Sequence, residues 1–271
     1  MSSPNSTSAA EFHRLHREGL LVLPNAWDAG TARLIESLGA KAIATSSAAV
    51  AWSHGYADGD RLPVALLVET VSEIARVVSV PITVDVEGGY SSDPSQAADT
   101  VAAVIDAGGV GINIEDGAGD PGLLRAKIEQ VRATASRLGV ELFVNARTDV
   151  YLKNLVPAER RLEETLARAG GYRAAGADGI FVPGVTDPSE IRTIASEVGL
   201  PLNVLARAGL PPASELARLG VRRLSAGSGI GTAAFGRIAS LATQFLRAGD
   251  SDPLIEGAMP YADVNALMAT S

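Results

Sequence analysis

Ile82-Thr83-Val84-Asp85-Val86-Glu87-Gly88-Gly89-Tyr90 begins as an apolar, β-branched run and ends in two carboxylates and two glycines. Such a run reads as a buried strand. In an extended chain Asp85 and Glu87 are two residues apart and point the same way. Gly88-Gly89 then turns the chain where side chains would obstruct. A second run, Val110-Gly111-Ile112-Asn113-Ile114, ends in Glu115-Asp116. For one pair of strand-end acids, feeding a turn is the simpler reading. Repetition on two strands favours an oxygen-rich site for a hard divalent cation, Mg²⁺ first and Mn²⁺ as the alternative.

Outward from this stretch the same unit repeats. Apolar runs at residues 20–23, 42–44, 142–149, 179–182, 202–205 and 223–225 join the two above as eight short strands. Helical patterns fall between them, at 29–38, 63–78, 94–107, 123–138, 158–175, 188–198 and 214–219, with further helices at 9–18 and 232–248. Glycine next to small residues punctuates many junctions: Leu38-Gly39-Ala40, Ala107-Gly108-Gly109, Ala175-Gly176-Ala177, Leu219-Gly220-Val221. Repeated strand-helix units imply a parallel sheet, and eight of them a closed (β/α)₈ TIM barrel of the α/β class. A doubly wound open sheet would lean on a glycine-rich phosphate loop after an early strand. Here the first strand runs into Pro24-Asn25-Ala26-Trp27-Asp28 instead.

The whole chain fits one domain over residues 1–271, with residues 1–8 frayed and 229–271 forming C-terminal helices. Its 271 residues are 46% hydrophobic, ample for one large core. A net charge of −8 without a Lys/Arg-rich run argues against nucleic acid or an anionic membrane surface as partner. The absence of cysteine excludes disulfides, thiolate metal sites and cysteine nucleophiles. Residues 1–10 lack the apolar core of a signal peptide, and no apolar run is long enough to span a bilayer, so a cytoplasmic location is expected.

A barrel places its active site at the C-terminal strand ends. Those ends carry Asn25, Trp27 and Asp28; Thr45, Ser46 and Ser47; Asp85 and Glu87; Glu115 and Asp116; Asn145, Arg147 and Asp149; Asn203 and Arg207; Ser225 and Ser228. Arg147 is suited to grip a carboxylate with two parallel hydrogen bonds. A salt bridge to a neighbouring acid is its plainer role, as capping is for Ser46 and Ser47.

At these residues the sequence resembles the isocitrate lyase/phosphoenolpyruvate mutase superfamily over roughly residues 20–245. The anchors are Asn25-Ala26-Trp27-Asp28-Ala29, Thr45-Ser46-Ser47, Gly55-Tyr56-Ala57-Asp58, Asp85-Val86-Glu87-Gly88-Gly89-Tyr90, Ile114-Glu115-Asp116 and Ala146-Arg147-Thr148-Asp149. The resemblance implies Mg²⁺ and a 2-oxo acid held as its enolate. It implies Asp85 as a direct Mg²⁺ ligand, with Glu87 and Glu115 acting directly or through water. Ser46, Ser47 and Arg147 would take the substrate carboxylate, and Asp58 would approach the reacting centre as a base. Trp27, Thr45 and Asn203 complete the expected substrate-binding set, and Tyr90 is a candidate proton donor. A homo-oligomer that exchanges its last helix between subunits is also implied.

The departures narrow the reaction. The superfamily's lyases carry a catalytic cysteine loop after the fourth strand, where this chain has only Gly117-Ala118-Gly119-Asp120-Pro121-Gly122. The mutases' tryptophan and histidine positions hold Ala44 and Pro183. A Mg²⁺-dependent C–C lyase or decarboxylase on a small 2-oxo or 2-hydroxy di- or tricarboxylate is therefore expected, not a standard isocitrate lyase. The alternatives are a phosphonopyruvate-type C–P hydrolase or mutase, and a non-catalytic 2-oxo acid binding protein.

Overall fold

A computed structural model of the chain describes residues 4–269. Its strands are β1 (Leu21–Leu23), β2 (Asn25–Ala26), β3 (Ile43–Thr45), β4 (Ile82–Asp85), β5 (Gly111–Glu115), β6 (Phe143–Arg147), β7 (Gly179–Phe181), β8 (Leu202–Leu205) and β9 (Val221–Ser225). All pair in parallel, in the order β1-β9-β8-β7-β6-β5-β4-β3-β2. The two ends of that order, β1 and β2, are halves of one run broken at Pro24. The first half pairs with β9, Leu21 opposite Arg223, and the second with β3, Asn25 opposite Ala44. Proline has no N–H to give a ladder. The run changes partner there, and the ring closes as a (β/α)₈-type barrel.

The helices are α1 (Pro4–Leu15), α2 (Ala29–Ser37), α3 (Ser47–Ser53), α4 (Val64–Val77), α5 (Pro94–Asp106), α6 (Pro121–Leu138), α7 (Arg161–Ala174), α8 (Pro188–Glu197), α9 (Ala213–Arg218), α10 (Gly229–Ala248), α11 (Asp252–Ile255) and α12 (Tyr261–Ala269). Three of them start the same way. Asp93, Asp120 and Asp187 each cap a helix whose first residue is proline, and each carboxylate accepts a backbone N–H of the first turn. Proline at that position gives up only an N–H that has no helical partner.

Two expectations are corrected here. Residues 4–8 open α1 instead of fraying; residues 1–3 lie outside the described residues. The expected long connection from residue 48 starts as α3, because Ser46 caps it and the small residues Ala48 to Ala51 pack buried behind the cap.

The N-terminal face of the barrel is plugged by α1. Phe12 is fully buried edge-on to Phe143, ring centroids 5.4 Å apart, and His16 stacks on the same ring at 4.0 Å. Gly111 permits this. A Cβ there would stand 2.6 Å from the Phe12 ring. With that face closed, the opposite face is the open mouth.

The C-terminal helices are differently placed. On α10 only Gly231 is buried, against Trp27 and Ala49, while Phe235, Ile238, Phe245 and Leu246 are exposed. The Phe235 ring meets Trp52 edge-on at 6.0 Å. On α12, the Leu267 carbonyl accepts from Arg33 Nε of α2 at 3.3 Å. Among the described residues no helix is long and apolar enough to cross a membrane.

Candidate functional site

A cavity of about 250 Å³ opens at the C-terminal strand ends. Ser46, Ser47, Asp58, Asp85 and Arg147, all expected there, line it together with Asn25, Asn113, Leu152, Phe181, Leu205 and Ser225. Asp85 closes β4 and is fixed on three sides. Its N–H donates to Thr45 Oγ1 at 2.9 Å, its Oδ2 accepts from Ser47 Oγ at 3.0 Å, and its Oδ1 accepts from the Glu87 N–H at 3.3 Å. Burial raises its pKa above the usual carboxylate range, and the charge of Arg147 offsets only part of that. Ser46 keeps its capping role, accepting from the Ala49 N–H at 3.4 Å.

Glu87 does not continue the strand. It sits in the left-handed region at φ +50°, as does Tyr90 at φ +58°. Neither is a residue that adopts this conformation without strain. The alternation that would align Glu87 with Asp85 therefore ends at Asp85. Buried Glu87 instead accepts from the Asp60 N–H and from Tyr90 Oη, the latter at 3.1 Å. Burial pushes its pKa up to about 7, the Asp60 N–H opposes that, and the charges of Asp60, Asp58 and Asp85 add to it.

Glu115 and Arg147 stand opposite each other in the β5–β6 register and pair at 2.7 Å. Arg147 also grips Asp149, Nε to Oδ1 at 2.7 Å and Nη2 to Oδ2 at 3.2 Å. Lys153 adds a second cation, 2.9 Å from Asp149 Oδ2 and 4.0 Å from Glu115 Oε1. Burial lifts Glu115 to about 8, Arg147 pulls against that, and Asp85 and Asp149 add to it. Burial works against the charge of Arg147, but Glu115, Asp149 and Asp85 outweigh it and the guanidinium stays charged.

Several expected residues lie off the cavity. Thr45 is buried beneath it as the acceptor that holds Asp85. Asn203 is buried too, its Oδ1 accepting from Ser225 Oγ at 3.1 Å. Trp27 lines a separate groove with His54 and Glu69, because the chain turns outward after β2. Tyr90 faces Glu87, and burial followed by that carboxylate raises its pKa well above the phenol range, which makes it a poor proton donor. Asp116, one of the strand-end acids, is a clasp. It accepts from Tyr172 Oη at 2.6 Å, Arg168 Nη1 at 2.9 Å and the Asp149 N–H at 3.0 Å.

Asn25, one of the expected strand-end residues, ties the mouth together, donating to the Thr45 carbonyl at 2.8 Å and accepting from the Gly227 N–H at 2.7 Å. Lys153 and Arg223 escaped the sequence reading. Lys153 lies one turn beyond Asp149, four residues on. Arg223 is fully buried inside the barrel with its Nε on Ser225 Oγ at 3.0 Å. The inward alternation Val221, Arg223, Ser225 was the available signal.

Among the described residues no three acidic or histidine side chains converge as a ready-made metal cage. Of the three expected metal-ligand acids Asp85 lines the cavity, while Glu87 and Glu115 are turned to their own partners. One direct carboxylate with acids behind it suits a cation that keeps several waters, which is the habit of Mg²⁺. The charge balance agrees: burial raises the pKa of all three acids, and Asp85 adds to the shift of both others. A cation at this mouth would relieve that repulsion.

A sequence profile of the phosphoenolpyruvate phosphomutase family matches residues 12–246. An uncharacterised protein of Mycobacterium tuberculosis (strain ATCC 25618 / H37Rv) is 36% identical over 94% of this chain and 95% of its own length. An oxaloacetate decarboxylase of Paraburkholderia xenovorans (strain LB400) is 31% identical over 79% of this chain and 73% of its own. A crystal structure from Burkholderia cenocepacia J2315, of a provisionally assigned phosphonomutase, superposes with a TM-score of 0.83 at 44% identity, covering 87% of this chain and 99% of that one. The barrel, the polar mouth and these matches place the chain in the phosphoenolpyruvate phosphomutase family, within the phosphoenolpyruvate mutase/isocitrate lyase superfamily of lyases and mutases.

Proposed function

We propose that the protein is a Mg²⁺-dependent lyase or decarboxylase that breaks a C–C bond beside the oxo group of a small 2-oxo or 2-hydroxy di- or tricarboxylate. The observation that carries this reading is that Asp85 and Arg147 share one small cavity. The volume, about 250 Å³, falls below the range of drug-sized pockets and suits a small acid. Asp85 would hold the cation directly, with Glu87 and Glu115 behind it. The bound cation would supply Lewis acidity toward the substrate's oxo and carboxylate oxygens.

The side chains divide the remaining work. Arg147 takes the substrate carboxylate, since its five N–H donors leave an edge beyond Asp149 and Glu115. Ser47 keeps Asp85 oriented, and Ser46 lines the same cavity. In decarboxylation the bond to the departing carboxylate breaks, its electron pair passes into the enolate, CO₂ leaves, and the enolate carbon takes a proton. Asp58 lines the cavity on an exposed segment and can exchange protons with water. On a 2-hydroxy substrate it would take the hydroxyl proton as the C–C bond breaks; the oxygen becomes the carbonyl of the oxo-acid product, and the bond's electron pair passes to the departing carboxylate fragment, which then takes a proton.

The test is steady-state assay with Mg²⁺ against oxaloacetate and 2-methylisocitrate, the substrates named by relatives. Phosphonopyruvate serves as the C–P control. Turnover of a C–C substrate supports the reading; phosphate release alone replaces it with C–P hydrolysis. Oxalate binding with no turnover of any of them leaves a 2-oxo acid binding protein. On the same reading a second copy of the chain covers the apolar side of α10, and the active form is a homo-oligomer.

A further inference from the structure

The acids and cations around Arg147 form a closed ring of alternating charge. Arg147 meets Glu115 Oε2 at 2.7 Å and Asp149 Oδ1 at 2.7 Å. Lys153 meets the other oxygen of each acid, Asp149 Oδ2 at 2.9 Å and Glu115 Oε1 at 4.0 Å. The two acids are thus bridged twice, once by each cation. The two cations differ in place. Arg147 lines the cavity, its guanidinium 5.7 Å from the centre of the Phe181 ring, with its side chain 17% exposed. Lys153 is at the rim, 42% exposed, beside Gly117 of the short loop.

This arrangement poses a competition. A carboxylate binding at the free edge of Arg147 competes for its charge with acids that it already holds. Asp149 is fully buried and cannot be left without a counter-charge except at high cost. A second cation, in contact with Asp149 and 4.0 Å from Glu115, removes that obstacle.

We propose that Lys153 is a positioning residue that releases Arg147 to the substrate carboxylate. As Arg147 turns its outer edge to the ligand, the ammonium keeps its contact with Asp149 and closes the longer gap to Glu115. Lys153 does not touch the substrate; it sets how much of Arg147 the substrate can have. The proposal rests on the reading of the mouth as a 2-oxo acid site.

Calorimetric titration of oxalate in saturating Mg²⁺ tests it, on wild type and on Lys153→Met, Lys153→Gln and Lys153→Arg. Because the side chain sits at the rim and is partly in solvent, the variants should fold, and circular dichroism with a thermal melt checks that. Loss of the ammonium should weaken oxalate by about tenfold, as expected for one charge-assisted contact, and arginine should restore most of it. Wild-type affinity in both neutral variants overturns the role of Lys153 alone. Equal loss in the arginine and neutral variants also overturns it, since charge would then not be what matters. If wild type itself binds no oxalate, the reading of the site falls and takes the proposal with it.

Discussion

Arg147 stands directly across the β5–β6 ladder from Glu115, and its Nη1 reaches the Glu115 carboxylate at 2.7 Å. The register makes this pair, so neither side chain has to search for the other. The same guanidinium holds Asp149 through two parallel hydrogen bonds. Arg147→Lys keeps the charge but loses the fork. We expect oxalate affinity in Mg²⁺ to fall by about a hundredfold in calorimetry. Arg147→Met should in addition destabilise the fold by roughly 3 kcal/mol, because buried Asp149 would keep only Lys153.

Of the three expected metal-ligand acids Asp85 lines the cavity, and Ser47 Oγ orients it at 3.0 Å. Asp85→Asn should abolish the rise in melting temperature that Mg²⁺ with oxalate gives wild type. Ser47→Ala should keep a rise but require about tenfold more ligand, the scale of one hydrogen bond to a charged group. An undiminished Mg²⁺ effect in Asp85→Asn would remove this carboxylate from the metal site.

The barrel was legible because its signals are local and repeated: apolar runs, small residues with glycine at the junctions, and Asp-Pro at helix starts. Much of the mouth followed from it, since a barrel dictates which strand ends face the site. The errors came where local geometry departs from regular structure. Glu87 was placed by strand alternation, which stops at a left-handed residue. Trp27 was placed by strand-end position, but the chain has already turned outward past β2. Asp116 acts through helix contacts with distant residues, and Lys153 reaches Glu115 across the mouth, for which sequence spacing carries no signal.

Gly111 faces the α1 plug. An alanine methyl would lie 2.6 Å from the Phe12 ring, which has nowhere to move between His16 and Phe143. Gly111→Ala should cost about 1–3 kcal/mol, the usual range for overpacking. In a denaturant titration the midpoint should fall, and Phe12→Leu in the same chain should recover part of it. Additive losses in the double variant would mean the two do not press on each other.

Exposed Phe235, Ile238, Phe245 and Leu246 lie along a single helix, α10. An apolar surface of this kind marks an interaction site. Light scattering should give a mass above that of one chain, and Ile238→Glu with Phe245→Glu should return it to the monomer. A monomeric wild type would end the assignment of this face to a second copy.

His16 helps hold the α1 plug against the barrel floor. Its Nδ1 bonds the Phe12 carbonyl at 2.8 Å, and its ring lies against Phe143 with Arg223 from β9 and His13 from its own helix nearby. Burial, then the charge of Arg223, drives its pKa down to about 3 from an ordinary value near 6.5, against the opposing carbonyl. The folded protein therefore holds this ring neutral where the unfolded chain protonates it. Between those two values the unfolded state binds more protons, so stability rises with pH and is lost as pH falls from about 6.5 toward 3. The full loss is on the order of 5 kcal/mol. His16→Gln should be less stable at neutral pH but flatter across this window. Urea titrations at pH 7.5, 5.5 and 4.5 measure the difference between the two chains. Parallel curves for wild type and His16→Gln would show that the ring titrates normally and that acid sensitivity comes from the carboxylates instead.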